Sequence, residues 1–345
     1  MIDGVDVTDQ KKLMELVSGL WVSKTLTTAH EIGLFDLLAK HPGSTMSELA
    51  DLLTLAERPT RSLVTVCVGL DLLVQDSGRY SNSRLSSRLL VCGEPDYFGG
   101  WVEMIDRHDY PGWLRLGEAL RENRPTTFDL ATQNSMFSET DPVVVDTFWE
   151  AMYAVSAPTA RVFAATVDLG RPRALLDVGG GGAAWDIALC ERYPGLTATV
   201  LDQPFVCDLT RRNISRAGLA DRITVTPGDF LADDPLPQGY DTILLAWILH
   251  DWNDDDVRAL LAKCHTALAP GGQLVISELT LDETGDGPLD AALIGLVMQV
   301  ETWGRAFTAG ELTHWLGEKG YTEIRTQRYD GLAGNTALIA RKPEA

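Results

Sequence analysis

Four short stretches in the second half of the chain carry side chains suited to holding a cofactor and moving a proton. Asp177-Val-Gly-Gly-Gly-Gly-Ala-Ala184 follows a short apolar run and precedes a helical pattern. Glycine there lets the backbone turn tightly and approach a ligand closely. The next apolar run ends at Asp202, 25 residues after Asp177, where a carboxylate can accept hydrogen bonds from both hydroxyls of a ribose. Read as Gly179-x-Gly181-x-x-Ala184, the loop nearly meets the dinucleotide pattern, so a nicotinamide dinucleotide stays open. An Asp on the strand ahead of the glycines, with Pro227-Gly-Asp229-Phe230 after the third strand, favours a site for an adenosine and an amino acid without a pyrophosphate.

The fourth stretch, Leu249-His-Asp-Trp252, follows the apolar run Thr242-Ile-Leu-Leu-Ala-Trp247. Open parallel sheets place their ligand crevice at the carboxyl ends of such strands. A phenol with a pKa of ~10 is mostly protonated at neutral pH, and a histidine near ~6.5 there can take its proton as a bond forms at oxygen.

Alternating strands and helices must position these groups. Apolar runs at Ala174–Val178, Ala198–Leu201, Ile223–Val225, Thr242–Trp247 and Gln273–Ser277 are separated by helical patterns, which predicts a parallel sheet covered on both faces. Strands around Ile324 and at Thr336–Ile339 complete one edge. Ahead of this α/β part, Leu13–Leu38 reads as one amphipathic helix. Thr45 with Glu48 forms a capping box, a helix runs from Glu57 to Leu73, and a hairpin turns at Asp76-Ser-Gly78. That order is a winged-helix arrangement. A DNA-binding regulator is the non-enzyme alternative, but beyond Arg58 and Arg61 the reading helix is almost wholly apolar, unlike one that faces base edges. Between the two parts lies a helical, aromatic-rich stretch from Trp101 to Phe163, some of whose rings should line a flat pocket.

Length and charge narrow the partners. At 345 residues the chain has room for about two domains, and 45% hydrophobic with 23% charged residues is ordinary globular composition. A net charge of −20 disfavours nucleic acid and anionic membrane surfaces. The five cysteines lie far apart, as reduced thiols of a cytoplasmic protein do, and neither a signal segment nor a long apolar run is evident.

Together these motifs resemble the S-adenosylmethionine-dependent methyltransferases that act on small phenols, a family with plant caffeate-type enzymes and the carminomycin and mitomycin O-methyltransferases. Pro270-Gly-Gly272 adds to the match, which spans most of the chain; His250-Asp-Trp252 is its most specific part. The resemblance implies an N-terminal winged-helix dimerisation domain over 1–105, a connector over 106–170 lining the substrate pocket, and a Rossmann-like class I methyltransferase sheet over 171–345. It implies a homodimer that uses S-adenosyl-L-methionine without a metal. Cofactor contacts are expected at Gly179, Gly181, Asp202, Asp229, Phe230 and Trp247, a catalytic base at His250, and Glu278 orienting its ring.

One position departs from the family. A second supporting glutamate is expected within Gly304-Arg-Ala-Phe-Thr308, where Ala306 stands. Glu301, five residues earlier, matches a substrate-lining position and is expected to bind a substrate amine or to share in the proton chemistry, with Arg107 or Arg305 as partner for a substrate carboxylate. Met152, Met298 and Trp303 are expected to clamp a ring, and His108 to line the substrate pocket. O-methylation of a small phenolic aromatic in secondary or antibiotic metabolism is the default reaction. The alternative is C-methylation ortho to the phenol of a hydroxylated aromatic amino acid, of the 3-hydroxykynurenine or tyrosine type, because deprotonation loads charge on oxygen and ortho carbon alike.

Overall fold

The computed structural model describes residues 7–131, 137 and 142–344, and only the backbone of 142–146. Packing divides the chain into two units, Met1–Arg107 and His108–Ala345.

In the first unit the expected single helix over Leu13–Leu38 is three: Thr8–Val17, Gly19–Glu31 and Leu34–Lys40. Gly33, at φ 74°, supplies the left-handed turn that separates the last two. Thr45 caps Met46–Leu53 as expected: its hydroxyl accepts the Glu48 N–H, and the Glu48 carboxylate accepts the Thr45 N–H at 2.7 Å. The next helix stops at Gly69 rather than Leu73, because Leu73 is drawn into a strand. Strands β1 (Ser44–Thr45), β2 (Leu73–Asp76) and β3 (Arg79–Asn82) form an antiparallel sheet in the order β1-β3-β2. Val64 and Cys67 of the apolar helix are fully buried with Leu34, Phe35 and Leu49, and Arg61 is ion-paired to Glu57. Leu13, Met14, Leu16, Val17, Leu20 and Trp21 form an apolar stretch at least 56% exposed.

Seven strands build the second unit: β4 (Ala174–Val178), β5 (Thr197–Asp202), β6 (Ile223–Pro227), β7 (Tyr240–Ala246), β8 (Leu268–Glu278), β9 (Thr322–Arg328) and β10 (Thr336–Arg341). Their order is β6-β5-β4-β7-β8-β10-β9. All neighbours are parallel except β10, which is antiparallel to both β8 and β9. Strand alternation feeds two apolar layers. Leu175, Val200, Leu244 and Val275 face the helices Pro142–Thr166 and Ala184–Arg192 through Phe163, Trp185 and Leu189. Leu176, Ile243, Leu245 and Ile276 face Asp254–Ala267 and Ala309–Glu318 through Leu260, Leu261, Leu312 and Trp315. At ~25 cal/mol per Å² of apolar surface removed from water, each such side chain contributes ~1.5–3 kcal/mol. The result is the expected doubly wound sheet.

The chain runs outward from β4 through β5 to β6, then returns to β7 on the other side of β4. A ligand crevice opens at that reversal, beyond the carboxyl ends of the strands. Gly179, Asp202, Asp229, Trp247, His250 and Glu278 all lie at or just past those ends, so one sheet gathers the residues that sequence spacing keeps apart.

Candidate active site

The glycine loop after β4 is shaped by its neighbours. Gly179 and Gly181 hold φ values of 76° and 52°, a region costly for side chains with a Cβ. A Cβ at Gly179 would run into Ile248 and Phe230, and one at Gly181 would press on Trp149. Asp202, 3% exposed, accepts the Gly181 N–H at 2.8 Å and the Gln203 N–H at 2.7 Å. A carboxylate has about four acceptor positions, so two remain for the hydroxyls of a ribose. Burial pushes the Asp202 carboxyl up to about 6, against the pull of those two backbone donors. Asp229 is exposed and accepts the Leu231 N–H at 2.9 Å, while the ring of Phe230 stands edge-on to Trp252 at 5.8 Å. The loop, the second-strand carboxylate and the Phe230 ring fit an adenosine held without a pyrophosphate.

His250 is fixed from behind. Past β7 the backbone turns at Trp247, which has φ 60° and donates its N–H to the Ser277 carbonyl at 2.9 Å; this conformation is strained for a bulky residue. The turn carries His250 over the end of β8, where its Nδ1 lies 2.6 Å from Glu278 Oε2. Oε1 of Glu278 accepts the N–H groups of Ile248 (3.1 Å) and Leu249 (2.8 Å). A carboxylate so placed accepts, so Nδ1 donates, and in the neutral ring the lone pair is on Nε2. Nε2 stands 3.7 Å from Asp251 Oδ1, and the Trp247 ring packs edge-on at 5.4 Å.

The imidazole does not keep its ordinary value near ~6.5. Burial alone would lower it, but Glu278 and Asp251 outweigh burial and push it up to about 9. Asp251 itself is lifted to about 7 by burial, with His250 pulling it down. Gly304 locks this turn from the other side, because a Cβ there would overlap the His250 carbonyl.

A row of rings leads away from the cofactor loop. Phe230 meets Trp252, Trp252 meets Phe137 at 5.6 Å, Phe137 meets Phe148 at 6.2 Å, and Phe148 meets His108 at 6.2 Å. Beside His108 stand Asp109 and Glu301, 4% and 5% exposed. One ring nitrogen of His108 and one oxygen of each carboxyl lie within 4.8 Å of one another. Glu301 is therefore no exposed helix-end carboxylate. Met298 is buried one turn earlier on the same helix, Met152 is half-buried, and Trp303 is 47% exposed and outside the row of rings. The two arginines expected to meet a substrate carboxylate are already paired, Arg107 with Glu103 at 3.1 Å and Arg305 with Asp254 and Glu311 at 2.9 and 3.0 Å.

The helix end bearing Glu301 is held by the Val300 carbonyl, which accepts the Thr126 N–H at 2.8 Å. Ala306, where the family glutamate was expected, is buried against Gly295 of the Leu289–Glu301 helix, so closely that a Cβ at Gly295 would meet it at 2.9 Å. Sequence reasoning missed Asp109. Nothing in the spacing links it to a residue 192 positions away, and only its adjacency to His108 could have flagged it.

A seven-stranded sheet of this order, with a glycine loop after its first strand and a ribose-ready carboxylate ending the second, defines a class I methyltransferase. The chain belongs to the O-methyltransferase family: the model of the O-methyltransferase domain matches residues 113–322, and that of the O-methyltransferase dimerisation domain matches 14–92. It is 45% identical over 330 residues, 96% of this chain and 94% of the relative, to 3-hydroxy-5-methyl-1-naphthoate 3-O-methyltransferase from Streptomyces sahachiroi. It is 32% identical to L-tyrosine C(3)-methyltransferase from Streptomyces lavendulae, with 97% and 93% of the two chains covered. The solved structure of human N-acetylserotonin methyltransferase in complex with SAM is similar at a TM-score of 0.89 and 30% identity, covering 99% of this chain and 100% of that one.

Proposed function

We propose that this enzyme transfers the methyl group of S-adenosylmethionine to a phenolic hydroxyl of a small fused or substituted aromatic, with His250 as the base. The observation that carries the assignment is the Glu278-fixed imidazole at the end of β7, beside the cofactor loop. S-adenosylmethionine supplies an electrophilic methyl on a sulfonium. Gly179, Gly181 and Phe230 shape its cradle, Asp202 takes the ribose hydroxyls, and Asp229 and Trp247 border the site.

The deprotonated fraction of His250, which grows as pH rises towards 9, accepts the phenol proton at Nε2. Its conjugate acid at about 9 is within roughly one unit of a phenol at ~10, so the proton passes between nearly matched groups. Glu278 holds the tautomer and stabilises the imidazolium that forms. Phe148, Trp252 and Met298 offer flat apolar and thioether surface for the ring, with His108 and Glu301 at its far side and Met152 on the Pro142–Thr166 helix. The 106–170 segment supplies several of these groups, in keeping with a connector that lines the pocket.

Oxygen is favoured over ring carbon as the acceptor by family membership and by the 45%-identical naphthoate O-methyltransferase. The exposed apolar stretch from Met14 to Trp21 lies where the dimerisation model matches and is covered in a homodimer. Incubation with labelled S-adenosylmethionine and a panel of naphthols, hydroxynaphthoates and hydroxylated aromatic amino acids, followed by NMR of the product, tests the assignment. A new O-methyl resonance is expected, and a ring-carbon methyl would overturn it.

A further inference from the structure

Two buried polar side chains grip the cofactor loop from behind. The Cys207–Arg216 helix follows β5 and buries Cys207, Leu209 and Ile214, and with them Thr210 and Asn213, 0% and 6% exposed. The Thr210 hydroxyl lies 2.7 Å from the Gly181 carbonyl and 2.9 Å from the Val206 carbonyl, so its one proton is shared between the loop and its own helix. Asn213 Nδ2 donates to the Gly182 carbonyl at 3.1 Å. A Cβ at Gly182 would meet Tyr153 at 2.8 Å and Asn213 at 2.9 Å, so the loop rests directly on these side chains. It needs holding there. Gly181 at φ 52° and Ala183 at φ 64° are both left-handed, and at Ala183 a Cβ makes that conformation strained. A buried hydrogen-bonding side chain loses hydration that an apolar one never had; what it gives in return is a specified geometry.

Resting on the reading of Asp202 as the ribose carboxylate, we propose that Thr210, assisted by Asn213, is a positioning residue for S-adenosylmethionine, fixing the Gly181 backbone so that Asp202 keeps its free acceptors toward the ribose. One segment of chain grips both polar groups of Gly181. Asp202 accepts its N–H at 2.8 Å, and Thr210, eight residues later, donates to its carbonyl. Removing the hydroxyl turns the Gly181 carbonyl toward another donor, and the N–H of the same residue swings off Asp202. The Gly181 and Gln203 N–H groups are what oppose burial at Asp202, so losing one lets the carboxyl hold its proton more tightly. Among the described residues, Asp177 on β4 and Cys207 on the helix are the titratable groups that face it.

The test is S-adenosylhomocysteine binding to the intact enzyme by calorimetry across the acid range, for the native protein, Thr210→Val, Thr210→Ser, Asp202→Ala and the double variant Asp202→Ala with Thr210→Val. Thr210→Val keeps the shape and removes the hydroxyl; it should raise Kd at least ~5-fold at neutral pH and move the acid midpoint of affinity upward. Thr210→Ser should restore most of both. In turnover, the loss should fall on KM for S-adenosylmethionine more than on kcat. On top of Asp202→Ala, Thr210→Val should add less than ~2-fold, because the residue it acts through is gone. Native affinity and midpoint in Thr210→Val, or costs that multiply in the double variant, would overturn the positioning role while leaving the Asp202 assignment intact. An Asp202→Ala protein that binds as the native one does would bring down the ribose reading and the proposal with it. Should Thr210→Val fail to fold, Thr210→Ala and Asn213→Leu make the same comparison: a raised Kd supports the grip, and native affinity overturns it.

Discussion

Replacing Glu278 by Gln should produce a defect that grows with pH. In the native enzyme Glu278 and Asp251 hold His250 at about 9 against burial. That is roughly 2.5 units above its ordinary value, ~3 kcal/mol of preference for the charged ring at 1.36 kcal/mol per unit. Gln keeps the shape and removes the charge, so burial regains ground and the imidazole falls to ~7 or below. The single amide oxygen also cannot serve the Ile248 and Leu249 N–H groups and Nδ1 together. Ring orientation loosens, and the plateau rate should drop ~10²-fold.

The two effects oppose each other near neutrality. At pH 7 about 1% of a base titrating at 9 is deprotonated, against about half of one titrating at 7. The variant therefore loses only severalfold at pH 7 but ~10²-fold at pH 9. The assay is kcat/KM for a naphthol at saturating cofactor from pH 6 to 9.5, with S-adenosylhomocysteine affinity measured in parallel. An acid limb that stays near the native midpoint, or a deficit of the same factor at every pH, would refute the coupling of Glu278 to His250.

Asp202→Ala should weaken S-adenosylhomocysteine at least ~10-fold by calorimetry, since it removes the acceptor for two ribose hydroxyls. In the native protein those hydroxyls favour the carboxylate form of a group lifted to about 6. Affinity should therefore rise with pH through that value and binding should release a proton, seen as a dependence of heat on buffer ionisation; proton uptake would contradict it. Gly304→Ala should push the His250 backbone aside and cost ~10–10²-fold in kcat with cofactor affinity nearly unchanged; an unchanged kcat would show that the turn has slack. Stability should fall as pH rises from 6.5 to 9. His250 and Asp251 bind protons more tightly folded than unfolded, so their contribution is complete below the unfolded pKa and is lost as pH passes about 7 and about 9. His30 and His265, whose pKa values burial lowers, give the opposite slope but finish by ~6.5. A Tm that climbs across the window in calorimetry would reverse the assigned signs.

Much of the framework was legible because it is local. The β4 to β8 strands are apolar runs bounded by turn residues, and Thr45 with Glu48 carries its capping box in four consecutive residues. The pairing of His250 with Glu278 came from the family resemblance, and the parallel neighbours β7 and β8 bring the two together. What sequence left out depends on tertiary packing. Gly33 breaks a helix that apolar spacing continues through. The two-residue β1 gains its identity only by pairing with β3. The close approach of Gly295 to Ala306, where a second supporting glutamate was expected, is also tertiary. The value near 9 on His250 arises from two carboxylates in a dry site, and Asp109 meets Glu301 only once the π-helical turn and the long helix end are brought together.

The central claim is that His250 is the proton acceptor beside a cofactor site it does not build. His250→Ala, assayed at pH 9 with labelled S-adenosylmethionine and the preferred naphthol, should lower turnover at least ~10²-fold while S-adenosylhomocysteine binds within about twofold of native by calorimetry. Turnover near the native rate at that pH would contradict the claim and leave His250 as a positioning residue only.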